Sequence, residues 1–232
     1  MGINQWRDEF EWPLSRAKLT RFYLHSEGAA NTSRGDGSLS QIEPGDEPSD
    51  SYLYDPRNPV PTRGGGLCCW NPILPPGTYD QRRIEERLDV LVYSTPPLEH
   101  HVEVTGPIQV HLWASSSAVD TDFTAKLVDL SPCGFARNVQ DGIVRARYRK
   151  PGEIVLLKSG EVVEFTIDLG ATSNVFKAGH RIRLEISSSN FPKYDRNANT
   201  GETVGNDILL RTAQQTIFHD RDHPSFILLP VV

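Results

Sequence analysis

Apolar and polar residues alternate strictly at several places along this chain. Ile108, Val110, Leu112 and Ala114 alternate with Gln109, His111 and Trp113. Val163, Phe165, Ile167 and Leu169 alternate with Glu164, Thr166 and Asp168, and Ile182, Leu184 and Ile186 with Arg181, Arg183 and Glu185. A period of two is the signature of a strand with one face buried. Further strands are predicted at 21–25, 52–54, 90–94, 102–105, 123–130, 143–148, 215–219 and 226–229. Only 81–88 reads as helical, and it is short. Many brief strands separated by Gly and Pro turns predict an all-β sandwich or barrel. The segment 26–76 departs from the pattern, being rich in Gly, Ser, Pro and Asp. Its stretches 26–50 and 55–76 are expected to be ordered surface loops wrapping one domain that spans 1–232, rather than a linker between two.

Composition narrows the function classes. A chain of 232 residues buries roughly 70% of its unfolded surface and needs no disulfide or metal to fold. Net charge is −6, which argues against nucleic-acid binding, since phosphate contact needs a basic face. The three cysteines, with Cys68 adjacent to Cys69, do not form a disulfide framework, so a reducing, cytoplasmic setting is expected. No run of 18 apolar residues exists that would cross a membrane as a helix.

Several clusters invite a chemical reading. No glycine is followed two residues later by serine, so the G-x-S-x-G nucleophile elbow is absent. Gly66-Leu67-Cys68 places a thiol after a glycine, but no histidine lies near in sequence to activate it; a buried or interface cysteine is the simpler reading. Asp195, Asn197, Asn199 and Gly201 resemble the start of a calcium loop, yet Thr200 and Asn206 stand where that loop needs Gly and Glu. A turn in which these side chains bond their own backbone is expected instead. His219 and His223 have a zinc-like spacing, but Pro224 follows directly, so a charged loop between strands is expected. Asp120 and Asp122 are expected to cap turns. Arg145, Arg147 and Arg149 are expected to share a strand face, solvated or paired with carboxylates of another domain. Trp6, Trp12, Trp70 and Trp113 could stack on sugars, but burial in the core or against another domain is their commoner fate. No cofactor, metal or catalytic residue is expected within the chain.

Ordered motifs carry a family resemblance nearly end to end. They are Met1-Gly2 with Trp6-Arg7, Trp12-Pro13, YLYDP at 52–56, PVPT followed by Gly64-Gly65, LDVLVYST at 88–95, VTGP at 104–107, SSSAVDTDFTAKLVD at 115–129 and DGIVR at 141–145. GHRIRLEISSSNFPKYDRNANTG at 179–201 completes the series. Together they resemble the C-terminal domain of the cocaine esterase and X-prolyl dipeptidyl-peptidase family of serine hydrolases, nearest to the cocaine-esterase-like acyl esterases. The resemblance implies a jelly-roll β-sandwich of the galactose-binding-like group, packed against an α/β-hydrolase domain in the same chain or supplied separately. It implies that the triad serine, aspartate and histidine lie upstream of the point matching Met1, leaving this chain inactive alone. Leu67, Cys68 and Cys69 match family residues that approach the acyl pocket, so they are expected to form part of its wall. Trp6, Trp12 and Trp70 are expected at the interdomain interface, with self-association where that interface is open. An apolar strand precedes Met1-Gly2 in the family, so a chain starting at Met1 is expected to have an incomplete sheet edge. The rival reading, from the shared fold, is a free-standing carbohydrate-binding module. Such a module would show a row of exposed aromatics on one face, where this sequence offers isolated tryptophans.

Overall fold

The structure is a computed structural model that describes residues 1–68, 72–203, 205 and 208–232. Eleven strands appear among the described residues: β1 (Lys18–His25), β2 (Ser38–Ser40), β3 (Asp50–Tyr54), β4 (Leu91–Ser94), β5 (Val102–Ser116), β6 (Asp122–Leu130), β7 (Ala136–Arg145), β8 (Val163–Phe176), β9 (Arg181–Ser187), β10 (Ala213–Phe218) and β11 (Phe226–Val231). Their hydrogen-bonded order is β3-β10-β5-β11-β1-β2-β4-β9-β6-β7, with β8 on the other side of β5. Neighbours are antiparallel except at the single parallel contact of β2 with β4. The sheet rolls over on itself. β7 comes to lie beside β8, where Gln140 Nε2 donates to the Ala171 carbonyl, and Phe123 of β6 meets Phe165 of β8 with ring centroids 4.9 Å apart. The result is the expected jelly-roll sandwich. Its core is formed by the predicted inward positions, with Ile108, Val110, Leu112, Ile167, Leu184 and Ile186 all fully buried.

The alternation on β8 stops at Leu169 because the strand bulges there. Gly170 has a positive φ of 75°, which a residue with a Cβ adopts only with strain. Past it the buried positions move from odd to even, to Thr172, Asn174 and Phe176. A bulge adds one residue and turns every later side chain to the opposite face.

Two sequence expectations are corrected. Residues 81–88 are not helical. They form successive turns, with Glu85 N bonding Gln81 O and Arg87 N bonding Ile84 O. Eight residues are too few for a helix to persist on local bonds alone. Here Gln81 and Glu85 are drawn inward to buried cations instead. The strand predicted at 143–148 in fact runs from Ala136 to Arg145 and ends in a 3₁₀ turn over Ala146–Tyr148.

Those cations form a polar layer on the outer face of β6 and β9. Lys126 donates to Glu185 and to Gln81 at 2.9 Å each. Arg183 donates to Glu85 at 2.6 Å. Residues 55–90 cross this face, with Val60 and Ile84 packing on Val90 and Val92, so charges that the alternation places outward are buried. Burial, reinforced by the charge of Glu185 and only partly offset by Arg183 and Lys126, pushes the Glu85 carboxyl up to about 7.

A carboxyl whose folded-state pKa is raised takes up a proton on folding, so its contribution is present at low pH and is lost as pH rises from about 4.5 to about 7. Urea unfolding of the parent between pH 4.5 and 7 is therefore expected to contain a falling component of ~1–3 kcal/mol. Glu85→Gln should remove it; an unchanged pH slope in the variant would refute the assignment.

Candidate functional site

Within the 55–90 crossing, Gly65 and Gly77 close a rigid neck from which a finger, described over 65–68 and 72–77, extends. Gly65 N bonds Gly77 O at 2.7 Å and Gly77 N bonds Gly65 O at 2.9 Å. Gly64 has φ of 72° and a Cβ there would stand 2.4 Å from Gly77 O, so only glycine closes this neck. Both sides of it are anchored to the sandwich. Thr62 N bonds Phe191 O, and Lys193 N bonds the Thr62 hydroxyl. On the other side Asn138 accepts from Tyr79 N at 2.6 Å, and Gln81 N bonds Ala136 O. Beneath Gly65 lies Asp141, ion-paired with Lys193 and accepting from Asn190 at 2.7 Å. The finger itself faces outward. Leu67 is half-buried, Cys68 is exposed, and Ile73 is 87% exposed. Cys69 and Trp70 lie outside the described residues.

The N-terminal residues form a second surface, a ledge along the end of β8. The Met1 amino group donates to Ser173 O at 2.6 Å and Val175 N bonds Met1 O at 3.3 Å. Arg7 then pairs with Glu103 of β5 and with Glu9, and Arg16 pairs with Glu9. These ion pairs fix the backbone while the apolar side chains stand in water: Trp6 and Phe10 are fully exposed, and Trp12 is 59% exposed. Behind them runs a groove of about 660 Å³ whose lining includes Ile3, Trp6, Trp12, Leu14, Gln140 and Val175. Finger and ledge are distinct surfaces of the sandwich. β7 passes between them, with Gln140 lining the groove and the next residue, Asp141, under the finger's neck.

The other clusters resolve into internal structure. Arg145 pairs with Asp122 at 2.8 Å and Arg147 with Asp120 at 2.8 Å, so these arginines meet carboxylates of this chain rather than of another domain. Asp120 also accepts from Arg147 N. Burial pushes the Asp122 carboxyl up despite the Arg145 bond. Asn197 Nδ2 lies between them, donating to Asp120 and Asp122 at 2.9 Å each. Asn199 N bonds Asn197 Oδ1, as expected for an Asn-rich turn. His219 and His223 do not meet at a common centre. His223 packs edge-on against Trp113, whereas His219 is fully buried beside Asp50, Ser26 and Tyr93. Sequence reading missed that buried cluster, because its members are up to 193 residues apart.

Comparison with known proteins places this architecture. The X-Pro dipeptidyl-peptidase C-terminal non-catalytic domain matches residues 1–228. The chain is 53% identical to the cocaine esterase of Rhodococcus sp. (strain MB1 Bresler) over 235 residues, covering 100% of this chain and 41% of that protein. The crystal structure of an aminopeptidase from a marine sediment Thaumarchaeota archaeon superposes with a TM-score of 0.85 at 29% identity, covering 100% of this chain and 39% of that one. A selenomethionine-labelled α-amino acid ester hydrolase superposes with a TM-score of 0.84 at 29% identity, covering 100% and 40%. The chain thus spans about two-fifths of the length of each.

Asn197→Asp, nearly isosteric, removes the Nδ2 donor and sets a third carboxylate against Asp120 and Asp122. It is expected to lower stability by ~3–5 kcal/mol, the scale of an uncompensated buried charge, as a fall in the urea midpoint. A midpoint equal to the parent's would show that Asn197 does not hold the two ion pairs together.

Proposed function

Because the chain belongs to the X-Pro dipeptidyl-peptidase C-terminal non-catalytic domain family, we propose that it docks through its N-terminal ledge onto an α/β-hydrolase domain. The finger at 65–77 then forms part of the acyl-pocket wall. The observation that carries this reading is the ledge itself. Trp6, Phe10 and Trp12 stand exposed on a backbone tied down by the Arg7–Glu103 pair. Large aromatics held rigidly in water mark an interaction surface, and Trp is prominent among the residues that dominate binding energy. The partial coverage of each relative supports a further domain as the partner. The exposed tryptophans of the ledge do not form a row on one sheet face, which weighs against a sugar-binding platform.

In this arrangement the hydrolase domain supplies the nucleophilic serine, its histidine base and the oxyanion donors, and an ester or amide acyl group is released to water. The finger contributes shape. Its neck is fixed, so Leu67 and Cys68 are held in place rather than folding around whatever acyl group arrives. Cys68 and its neighbours would set the width of the pocket rather than its chemistry.

Purified chain is expected to give no turnover of nitrophenyl esters or aminoacyl-prolyl amides. Turnover that survives repurification and vanishes in Cys68→Ala would overturn the inactive reading. A separately produced hydrolase portion should bind the chain, and Trp6→Ala with Trp12→Ala should weaken that binding at least 10-fold, on the scale of interface hot spots. Equal affinity of parent and double variant by calorimetry would remove the ledge from the interface. Without the hydrolase portion the exposed ledge should promote self-association, seen as a concentration-dependent sedimentation coefficient.

A further inference from the structure

His219 directly follows β10 and is fully buried, with β3, β4 and Ser26 just past β1 contributing groups around it. Asp50, the first residue of β3, accepts on Oδ2 from Ser26 Oγ at 2.7 Å and from Tyr93 OH at 2.7 Å. The same oxygen is 3.0 Å from His219 Nε2. Asp50 Oδ1 accepts from Ala30 N at 2.8 Å. Groups from β4, from the residues just past β1 and β10, and from Ala30 therefore converge on one buried carboxylate at the start of β3.

The other ring nitrogen decides the charge state. His219 Nδ1 lies 3.3 Å from Glu47 Oε2 in a charge contact, and neither of these buried atoms makes a hydrogen bond. A neutral imidazole has a single N–H. If that hydrogen sits on Nε2 and meets Asp50, the lone pair of Nδ1 faces a carboxylate oxygen. If it sits on Nδ1, the lone pair of Nε2 faces Asp50, and Ser26 Oγ, 3.1 Å away, can satisfy that lone pair only by giving up its own bond to Asp50. Only the doubly protonated ring offers a donor to both acids. We propose that His219 is held as an imidazolium in the native domain, clasping Asp50 and Glu47 so that the edge strand β3 and the 41–49 loop are locked by a bound proton.

The surrounding charges support this assignment. Burial opposes a charged ring most strongly, yet the Asp50 hydrogen bond and the charges of Asp50 and Glu47 outweigh it and hold His219 above its ordinary value. Burial likewise opposes the Asp50 carboxylate, but His219, Ala30 N, Ser26 and Tyr93 hold it below its ordinary value. The phenol of Tyr93 is pushed well up, first by burial and then by Asp50, so it remains a donor. Glu47 Oε1 is 2.8 Å from His25 Nδ1, and Asp36 adds negative charge near Tyr93. Asp220, next in the chain, turns away to His223. The Arg221 backbone N–H bonds Gly45 O.

A raised histidine stabilises the fold fully below its unfolded-state value of 6.5, and that contribution is lost as pH rises through the folded-state value. The lowered Asp50 acts in the opposite sense: its contribution is present above 3.8 and is lost as pH falls through its folded-state value. The clasp is therefore closed between these limits and opens on the alkaline side. β3 lies at one end of the hydrogen-bonded order, so opening would bare the β10 edge, which can pair with another chain.

Nitrogen-15 NMR of the histidine rings in the intact chain tests the clasp directly. At pH 7, His219 is expected to show both ring nitrogens protonated; one protonated and one bare nitrogen would overturn the proposal. In parallel, the unfolding constant of the parent should rise by up to tenfold per pH unit above 6.5 until the folded-state value is passed. His219→Gln should lose this alkaline limb, and His25→Gln should keep it. An identical limb in His219→Gln would also overturn the proposal, and should that variant fail to fold, the ring spectrum of the parent decides.

Discussion

One buried ion pair, Arg183 with Glu85, and one bond from buried Lys126 to Gln81 hold the 55–90 crossing onto the sandwich. On an open sheet these strand positions would face water. Here they are covered, and a buried charge requires a partner. Glu185 comes from the sheet itself, while Glu85 and Gln81 come from the crossing. A crossing without Glu85 and Gln81 would bury Arg183 without an ion-pair partner and Lys126 short of a bond, a loss of several kcal/mol. The finger grows out of this crossing, so its position follows from the polar layer beneath it.

Finger and ledge are held by different forces suited to the same task. At the neck of the finger, backbone bonds and two glycines set the geometry. On the ledge, ion pairs at Arg7 and Arg16 fix the backbone and leave the aromatic faces outward. In both, the anchoring is polar and local to this domain, and apolar side chains remain available. A surface ordered before binding loses less conformational entropy when it docks, which suits a domain that shapes a site without carrying the reacting groups.

The interior contains polar hubs where a simple sandwich would have hydrocarbon. Asp120, Asp122, Arg145, Arg147 and Asn197 tie the ends of β6 and β7 to the 195–201 turn. Asp50, His219, Ser26 and Tyr93 tie β3 and β10 to β1 and β4. Both hubs sit at strand ends, where backbone leaves the sheet and side chains must satisfy what the ladder no longer does. Each also links segments distant in sequence, so each depends on the whole fold having formed.

The alternation at 108–114, 163–169 and 182–186 determined by itself that the chain is all-β, a sandwich or barrel, and which residues of these stretches line its core. That pattern is legible because burial of one strand face is written locally, residue by residue. The ordered motifs likewise marked the family. Tertiary structure alone decided the rest. β7 begins at Ala136 among polar residues whose partners lie on other strands, and β8 continues past Leu169 only because Gly170 reverses its faces. Residues 81–88 have helical spacing yet turn inward, because Arg183 and Lys126 offer stronger partners than a short helix does. Arg145 and Arg147 read as a stripe solvated or paired with another domain until Asp122 and Asp120 come within 2.8 Å. His219 and Asp50 are separated by 169 residues. A sequence states that a residue can carry charge, but only the fold sets which opposite charge it meets and how much water remains between them.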